Sequence, residues 1–410
     1  MSSTETDHQS NAARTRLAAR LSSAVGALED PATPMVVVDL DAFDANAEDL
    51  LRRAAGTPIR VASKSLRIPA LLERALSRPG FAGILGYTLR EALWLVEHAV
   101  TTDVVLAYPT VDRVAIGRLA ADDAARSAIT LMVDTRAHLD LIDAARGASS
   151  GPIRVALDID AGLRLGRSHV GPKRSPLHDP AEVVAFAEEV IARPGLALVG
   201  VMTYEGQVAG VQDDVPGQRA KSMIVRRLKS ASMAQLADRR GQIATALTAL
   251  TALEFWNGGG SGSLEATAAD SAVTELAAGS GLLVPTLFDH YQSFAPRPAA
   301  FYGVPVVRKP SPGIATAAGG GFLASGPAGK DRAPTPWAPP NLYLTGLEGA
   351  GEVQSPLTGS GAASLGVGDW VWFRHAKSGE LAEHTNLVHL IAGDGITETV
   401  RSYRGFGCAW

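Results

Sequence analysis

Eight times in this chain a short apolar, β-branched run is followed by a longer amphipathic stretch, a rhythm that only a few folds can accommodate. The strand candidates are 59–62, 83–85, 104–107, 130–133, 154–159, 198–203, 254–257 and 274–278, and between them 88–98, 136–146, 180–192 and 233–250 have helical spacing. Strand and helix in strict alternation build βα units around a parallel sheet, because each strand must bury both faces. Eight such units predict an α/β fold: a TIM-type (β/α)8 barrel, whose functional residues lie at the C-terminal strand ends. Lys64, Asp160, Tyr204, Gly258 and Gly279 all fall at or just beyond such ends.

Near Asp289 the texture changes. Prolines punctuate runs of period-two alternation, as in Gly303-Val304-Pro305-Val306-Val307, Asp369-Trp370-Val371-Trp372-Phe373 and Asn386-Leu387-Val388-His389-Leu390. This pattern predicts a smaller antiparallel β-domain, with the Pro- and Gly-rich stretch 325–341 as a surface loop. The expected organisation is an N-terminal extension at 1–30, partly disordered, a barrel at 31–288 and the β-domain at 289–410. With 410 residues, 46% of them hydrophobic, the chain can fill two such cores.

Charge narrows the function classes. A formal net charge of -4, with Lys and Arg scattered among Asp and Glu, excludes a nucleic-acid groove and a polybasic membrane anchor, and leaves a small molecule as the expected partner. The single cysteine, Cys408, rules out an internal disulfide. The polar, acidic start lacks the apolar segment of a secretory signal, and no apolar run is long enough to cross a bilayer. The expectation is a soluble, cytoplasmic protein whose first residues are disordered.

Two features carry chemistry. Lys64 follows the run Ile59-Arg60-Val61-Ala62, and the cluster Gly258-Gly259-Gly260-Ser261-Gly262-Ser263 follows the strand candidate 254–257. Glycines in that place free backbone N–H groups which, with two serine hydroxyls, form a nest for a dianionic phosphate. The bland alternative is a linker. The cluster lacks the spacing and early position of a dinucleotide fingerprint. Lys64 is open to two readings, a solvated lysine at a strand end or an amine that forms an imine with an aldehyde cofactor. An amine and a phosphate cradle on one rim suggest pyridoxal 5'-phosphate.

Further motifs point the same way. Thr33-Pro34, Val36-Val37-Val38-Asp39-Leu40-Asp41 with Asn46, and Arg60-Val61-Ala62-Ser63-Lys64-Ser65 are followed by Asp160-Ala161-Gly162-Leu163-Arg164-Leu165-Gly166 and Gly200-Val201-Met202-Thr203-Tyr204-Glu205-Gly206. The glycine cluster and Thr274-Glu275-Leu276-Ala277-Ala278-Gly279-Ser280 complete the series. In this order they resemble the fold-type III pyridoxal phosphate enzymes of the alanine racemase-like superfamily, and within it the D-threonine aldolase and D-serine dehydratase-like group.

That resemblance implies that Lys64 carries the cofactor and then removes the substrate's α-proton. It implies that Arg164, with Arg167 as a neighbouring alternative, hydrogen-bonds the phenolic oxygen, and that Tyr204 packs on the ring. Gly259, Gly260, Ser261, Gly279 and Ser280 become the phosphate ligands. Two departures stand out. Ala277-Ala278-Gly279 replaces an Arg-Pro-Gly stretch, leaving the ring nitrogen without an assigned partner, and Glu380 and Ala382 stand where a metal-ligand pair is expected. A rearranged Zn or Mn site is then open to Glu380 and His384, with Glu383 and His375 nearby. Direct catalysis by His375, Lys377 or His384 is the other reading, and an inert polar loop the third.

The implied activity is a lyase acting on β-hydroxy-D-amino acids, by retro-aldol cleavage to glycine and an aldehyde or by dehydration to a 2-oxo acid and ammonia. The alternatives are a racemase, for which Tyr291 and Tyr302 are weak candidates as the opposing base, and a non-catalytic cofactor carrier. The family architecture implies a homodimer in which one subunit's β-domain covers the other's barrel mouth.

Overall fold

The computed structural model describes residues 3–147, 151–294 and 297–410. All eight expected barrel strands form: Ile59–Ala62, Phe81–Gly86, Val104–Leu106, Ile129–Val133, Ile153–Asp158, Leu196–Thr203, Phe255–Gly258 and Glu275–Ala278. They pair in parallel, and Leu276 beside Ile59 closes the barrel. Strand alternation sorts the side chains. Val105, Met132, Ala156, Val199, Met202 and Phe255 form an apolar cluster of strand residues inside the barrel, while Val104, Leu106, Leu131 and Val133 join the cluster that includes the helices. At Gly200 a Cβ would lie 2.3 Å from the Phe255 ring, so only glycine lets that ring fill the interior.

Helix starts follow local chemistry. Thr88 caps Leu89–Glu97 by accepting from the Glu91 N–H, and Asp179 with Glu182 forms a capping box at Pro180–Ile191. The last long helix, expected at 233–250, begins earlier and runs from Arg219 to Thr248. Its early part is polar and exposes Met223 and Ile224, so apolar periodicity gives it no signal.

The β-rich remainder forms a nine-stranded sheet, and its first strand comes from the other end of the chain. Met35–Asp39, placed with the barrel by the sequence reading, pairs antiparallel with Ala300–Ser311 and in parallel with Leu387–Ala392. The reason is that both its faces are apolar. Val36 and Val38 join the main core, whereas Met35 and Val37 pack with Phe301, Trp372 and Ile391 against Leu21, Ala24 and Val25.

Those last three residues belong to a helix, Ser3–Gly26. The N-terminal extension expected to be partly disordered is therefore helical from Ser3 and covers one face of the sheet, with Ser22 Oγ accepting from Trp372 Nε1 at 3.1 Å. Met1 and Ser2, included in that expectation, lie outside the described residues. The stretch 325–341 is more ordered than a surface loop as well: it holds the 3-10 turn Lys330–Arg332 and the strand Thr335–Ala338, which pairs with Trp370–Arg374. No described helix is long and apolar enough to cross a membrane.

The β-domain sits on the C-terminal rim of its own barrel. At Gly379 the backbone is left-handed (φ +86°), and a Cβ there would come within 1.8 Å of the Lys64 carbonyl oxygen. Only glycine permits that approach. Arg67 and Glu383 pair across the same seam at 2.5 Å.

Candidate active site

Lys64 lies in a 3-10 turn, Ser63–Ser65, directly after the first barrel strand. Its Nζ donates to Tyr108 Oη at 2.8 Å. Both open into a cavity of about 270 Å³ at the C-terminal rim, which is also lined by Tyr204, Gly259, Gly260, Ser261, Gly279 and Ser280. Six positions singled out in the sequence thus surround the Lys64 amine. Burial raises the Tyr108 phenol, but the charges of Lys64 and Arg174 outweigh it and leave the group below its ordinary value. Tyr204 moves the other way, pushed up to about 12 by burial and by neighbouring Glu205.

The glycine walls are shaped for close approach. A Cβ at Gly279 would meet the Ala62 carbonyl oxygen at 2.6 Å, and one at Gly260 would meet Ala209 Cβ at 2.8 Å. The N–H groups of Ser261 and Ser280 have no acceptor among the described residues. Ser261 Oγ accepts from Gly281 N at 2.9 Å, tying the two halves of the cradle together. A buried ion pair holds the glycine turn from below. Glu205 accepts from Gly259 N, Ser263 Oγ and Arg240 Nη2, and Arg240 also donates to Thr203 and Asp270.

Arg164 does not reach this cavity. The segment Leu163–Leu165 turns back on Ser168–Val170 as an exposed hairpin, which carries Arg164 into solvent, where its guanidinium stands 3.8 Å from Asp160. Arg167, at the hairpin turn, is exposed too. The chain that follows the hairpin brings in Arg174 instead, with its guanidinium carbon 5.4 Å from the Tyr108 ring centre and 5.6 Å from that of Tyr204. The Arg174 guanidinium makes no hydrogen bond to any described residue. It also borders a neighbouring groove that contains Asp158, whose carboxyl is raised to about 7 by burial and the nearby Asp134.

The β-domain stretch 375–384 divides in two. Lys377 and Ser378 line the cavity, as does Arg332 from the turn Lys330–Arg332. His375 and His384 do not; they border a separate space of about 10 Å³ with Phe322 and Glu380. Neither ring nitrogen of His375 has a partner among the described residues, and burial, then the Arg374 charge, lowers it to about 3, so it stays neutral. His384 stacks on Phe322 with ring centres 4.1 Å apart, and burial lowers it too. Both catalytic histidine assignments are therefore corrected: packing turns these rings away from the Lys64 cavity.

The proposed metal pair fares no better. Glu380 accepts from Ser325 N at 2.9 Å and lies 3.3 Å from Lys377 Nζ, while His384 is occupied by its stack. Among the described residues no group of three or more His, Cys, Asp or Glu could hold a metal. Tyr291 and Tyr302 are engaged within the chain, donating to Ala209 O at 3.0 Å and Gly320 O at 2.7 Å.

A family model described as alanine racemase, N-terminal domain, matches residues 38–286, more than half of the chain. The chain belongs to this family. Alanine racemase-type barrels form part of the fold-type III pyridoxal phosphate group. A D-threonine aldolase from Arthrobacter sp is 29% identical over 251 residues, 60% of this chain and 60% of that protein. The chain thus matches less than two thirds of that relative's length. Among solved structures, D-threonine aldolase from Filomicrobium marinum superposes with a TM-score of 0.76 at 21% identity, covering 93% of this chain and 100% of that one. D-threo-3-hydroxyaspartate dehydratase from Delftia sp. HT23 gives 0.69 at 21% identity over 92% and 98%. These likenesses extend the shared alanine racemase-type fold into the β-domain.

The cavity suits the cofactor those barrels bind. Its glycine walls leave room for a phosphate against bare backbone, and Lys64 supplies the amine. Tyr108, Arg174 and Arg332 were missed in the sequence. Tyr108 stands just beyond the strand candidate 104–107, so the strand-end rule reaches it. Arg174 and Arg332 lie in loops without period, where the sequence carries no signal of direction.

Proposed function

We propose that the protein is a pyridoxal phosphate-dependent lyase acting on β-hydroxy-D-amino acids. The observation that carries the reading is that the Lys64 amine, the glycine cradle and the Lys377 ammonium open into one cavity. The stereochemical series and the β-hydroxyl come from the similar proteins named above, D-threonine aldolase and D-threo-3-hydroxyaspartate dehydratase.

In this reading Gly259, Gly260, Ser261, Gly279 and Ser280 hold the phosphate, Arg174 hydrogen-bonds the phenolic oxygen, and Tyr204 packs on the ring. Bound there, the cofactor supplies an electron sink for bond breaking at Cα. Lys64 Nζ takes the α-proton, and the adjacent Tyr108 Oη relays it. Lys377 Nζ donates a proton to the departing β-hydroxyl, which leaves as water. Hydrolysis of the unsaturated amine then yields a 2-oxo acid and ammonia. Dehydration is favoured because, among the described residues, no carboxylate or imidazole lines the cavity to act as a base on the β-hydroxyl.

One observation favours a second reading, retro-aldol cleavage. The Tyr108 phenol, lowered by its cationic neighbours despite burial, is a base available at the same rim. Mass spectrometry of products from D-threonine separates the two. Dehydration gives 2-oxobutyrate and ammonia; cleavage gives glycine and acetaldehyde. Recovery of unchanged D-threonine and of unchanged D-threo-3-hydroxyaspartate would count against both.

A further inference from the structure

Four cationic side chains line the cavity, Lys64, Arg174, Arg332 and Lys377, and no carboxylate does among the described residues. Three of them have neighbours that account for their place. Lys64 is hydrogen-bonded to Tyr108, Arg174 lies against the rings of Tyr108 and Tyr204 on the barrel side, and Lys377 Nζ donates to Ser325 Oγ at 2.5 Å with Glu380 at 3.3 Å. Arg332 has no comparable role. Its guanidinium makes no hydrogen bond to any described residue, its Nε is buried without an acceptor, and the nearest carboxylate oxygen, from its exposed neighbour Asp331, is 3.8 Å away.

The loop around Arg332 is built to hold it there. Ala324 N donates to Arg332 O at 2.9 Å, and Arg332 N to Gly329 O at 3.0 Å. Ser325 is clamped by Glu380 and Lys377. The guanidinium packs against bare backbone at Gly326, where a Cβ would lie 3.3 Å from Arg332 Cζ and φ is +122°. A planar fork of donors, aimed into a cavity whose described lining holds no carboxylate and lacking an acceptor of its own, matches a carboxylate in two-point contact.

We infer that Arg332 is the residue that binds the α-carboxylate of the amino-acid substrate. This rests on the amino-acid reading of the site given above, but not on which bond is broken. The carboxylate lies on the β-domain side, opposite Arg174, and the Ser325, Glu380 and Lys377 chain fixes the loop that presents the guanidinium.

Calorimetric titration of the pyridoxal phosphate-loaded protein with D-alanine and with D-alaninamide tests this, because the pair differs only in the carboxylate and neither has a β-hydroxyl to eliminate. The wild-type protein should bind D-alanine at least about 10-fold more tightly than the amide, an ordinary margin for a charge-assisted pair. Arg332→Leu should abolish that ratio, Arg332→Lys should keep part of it, and Gly326→Ala, which displaces the guanidinium, should reduce it. A wild-type protein without the preference, or binding neither ligand, overturns the inference. So does an Arg332→Leu protein that keeps the wild-type ratio. If the ratio behaves as expected while no β-hydroxy-D-amino acid is consumed, the anchor stands and the proposed reaction falls. If products form while Arg332→Leu leaves the ratio unchanged, the reaction stands and the anchor falls.

Discussion

The Nζ of Lys64 and the Oη of Tyr108 are 2.8 Å apart, although 44 residues separate them in the chain. Barrel closure makes this possible: Lys64 leaves the first barrel strand and Tyr108 follows the third, with one strand between them around the barrel, and both stand on the same rim. In the proposed reaction the phenol is the nearest group to the proton that Lys64 moves. Tyr108→Phe keeps the ring beside Arg174 and deletes the hydroxyl. It is expected to lower kcat by about 10²-fold while the bound cofactor keeps its visible absorbance. Steady-state kinetics with that absorbance as a control makes the test, and an unchanged kcat would remove Tyr108 from the mechanism.

Gly279→Ala probes the phosphate cradle. An alanine there stays clear of the left-handed region that favours glycine, since φ is −159°. Its Cβ, however, would stand 2.6 Å from the Ala62 carbonyl oxygen and 2.8 Å from Ser65 Cβ. The expected result is a cofactor dissociation constant at least about 10-fold higher, a cost near ~1.4 kcal/mol, with little change in the far-ultraviolet circular dichroism. Unaltered cofactor affinity would show that the phosphate sits elsewhere.

Arg240 and Glu205 are both fully buried and 2.9 Å apart under the glycine turn. Removing one member of such a pair leaves an uncompensated charge in the core, at a cost of ~3–5 kcal/mol. Arg240→Met should therefore lower the denaturation midpoint in urea and weaken cofactor retention together, because Glu205 is what holds Gly259 N and Ser263 Oγ. A variant destabilised but fully able to hold the cofactor would separate the pair from the cradle.

His375 makes the pH dependence of stability specific. Burial and the Arg374 charge bring its folded value to about 3, against an ordinary 6.5. Below pH ~6.5 the unfolded chain takes up a proton that the folded protein does not, so stability falls as pH drops from there toward about 3 and is constant above. At pH ~5 this amounts to ~2 kcal/mol. His375→Phe should flatten that limb, measured as the change in denaturation midpoint between about pH 7.5 and about pH 5. An equally steep loss in the variant would assign it to other groups.

Much of this architecture was written in periodicity. All eight barrel strands were legible because each is a short β-branched run that must bury both faces, and Lys64, Tyr204 and the two glycine segments followed from lying at strand ends. Periodicity was silent about partners. Met35–Asp39 falls within the expected barrel bounds of 31–288, and only the Ser3–Gly26 helix and the sheet around it decide where its two apolar faces are covered. The arginines show the same limit. Arg164, Arg167 and Arg174 all follow one strand, and the hairpin at Leu163–Val170, which turns the first two outward, depends on backbone pairing that composition does not reveal. His375 and Lys377 are two residues apart, yet one points into the core and the other into the cavity.

In the proposed reaction every other group in the cavity acts around Lys64, the amine that receives the cofactor. Borohydride reduction of the protein loaded with pyridoxal phosphate, followed by proteolysis and peptide mass mapping, reads this directly, since reduction makes an imine permanent. The pyridoxyl phosphate group is expected on the peptide containing Lys64, at about one per chain, and absent from that peptide in Lys64→Ala. Modification of another lysine in preference to Lys64, or no stable attachment at all, would contradict the assignment of this cavity as the active site.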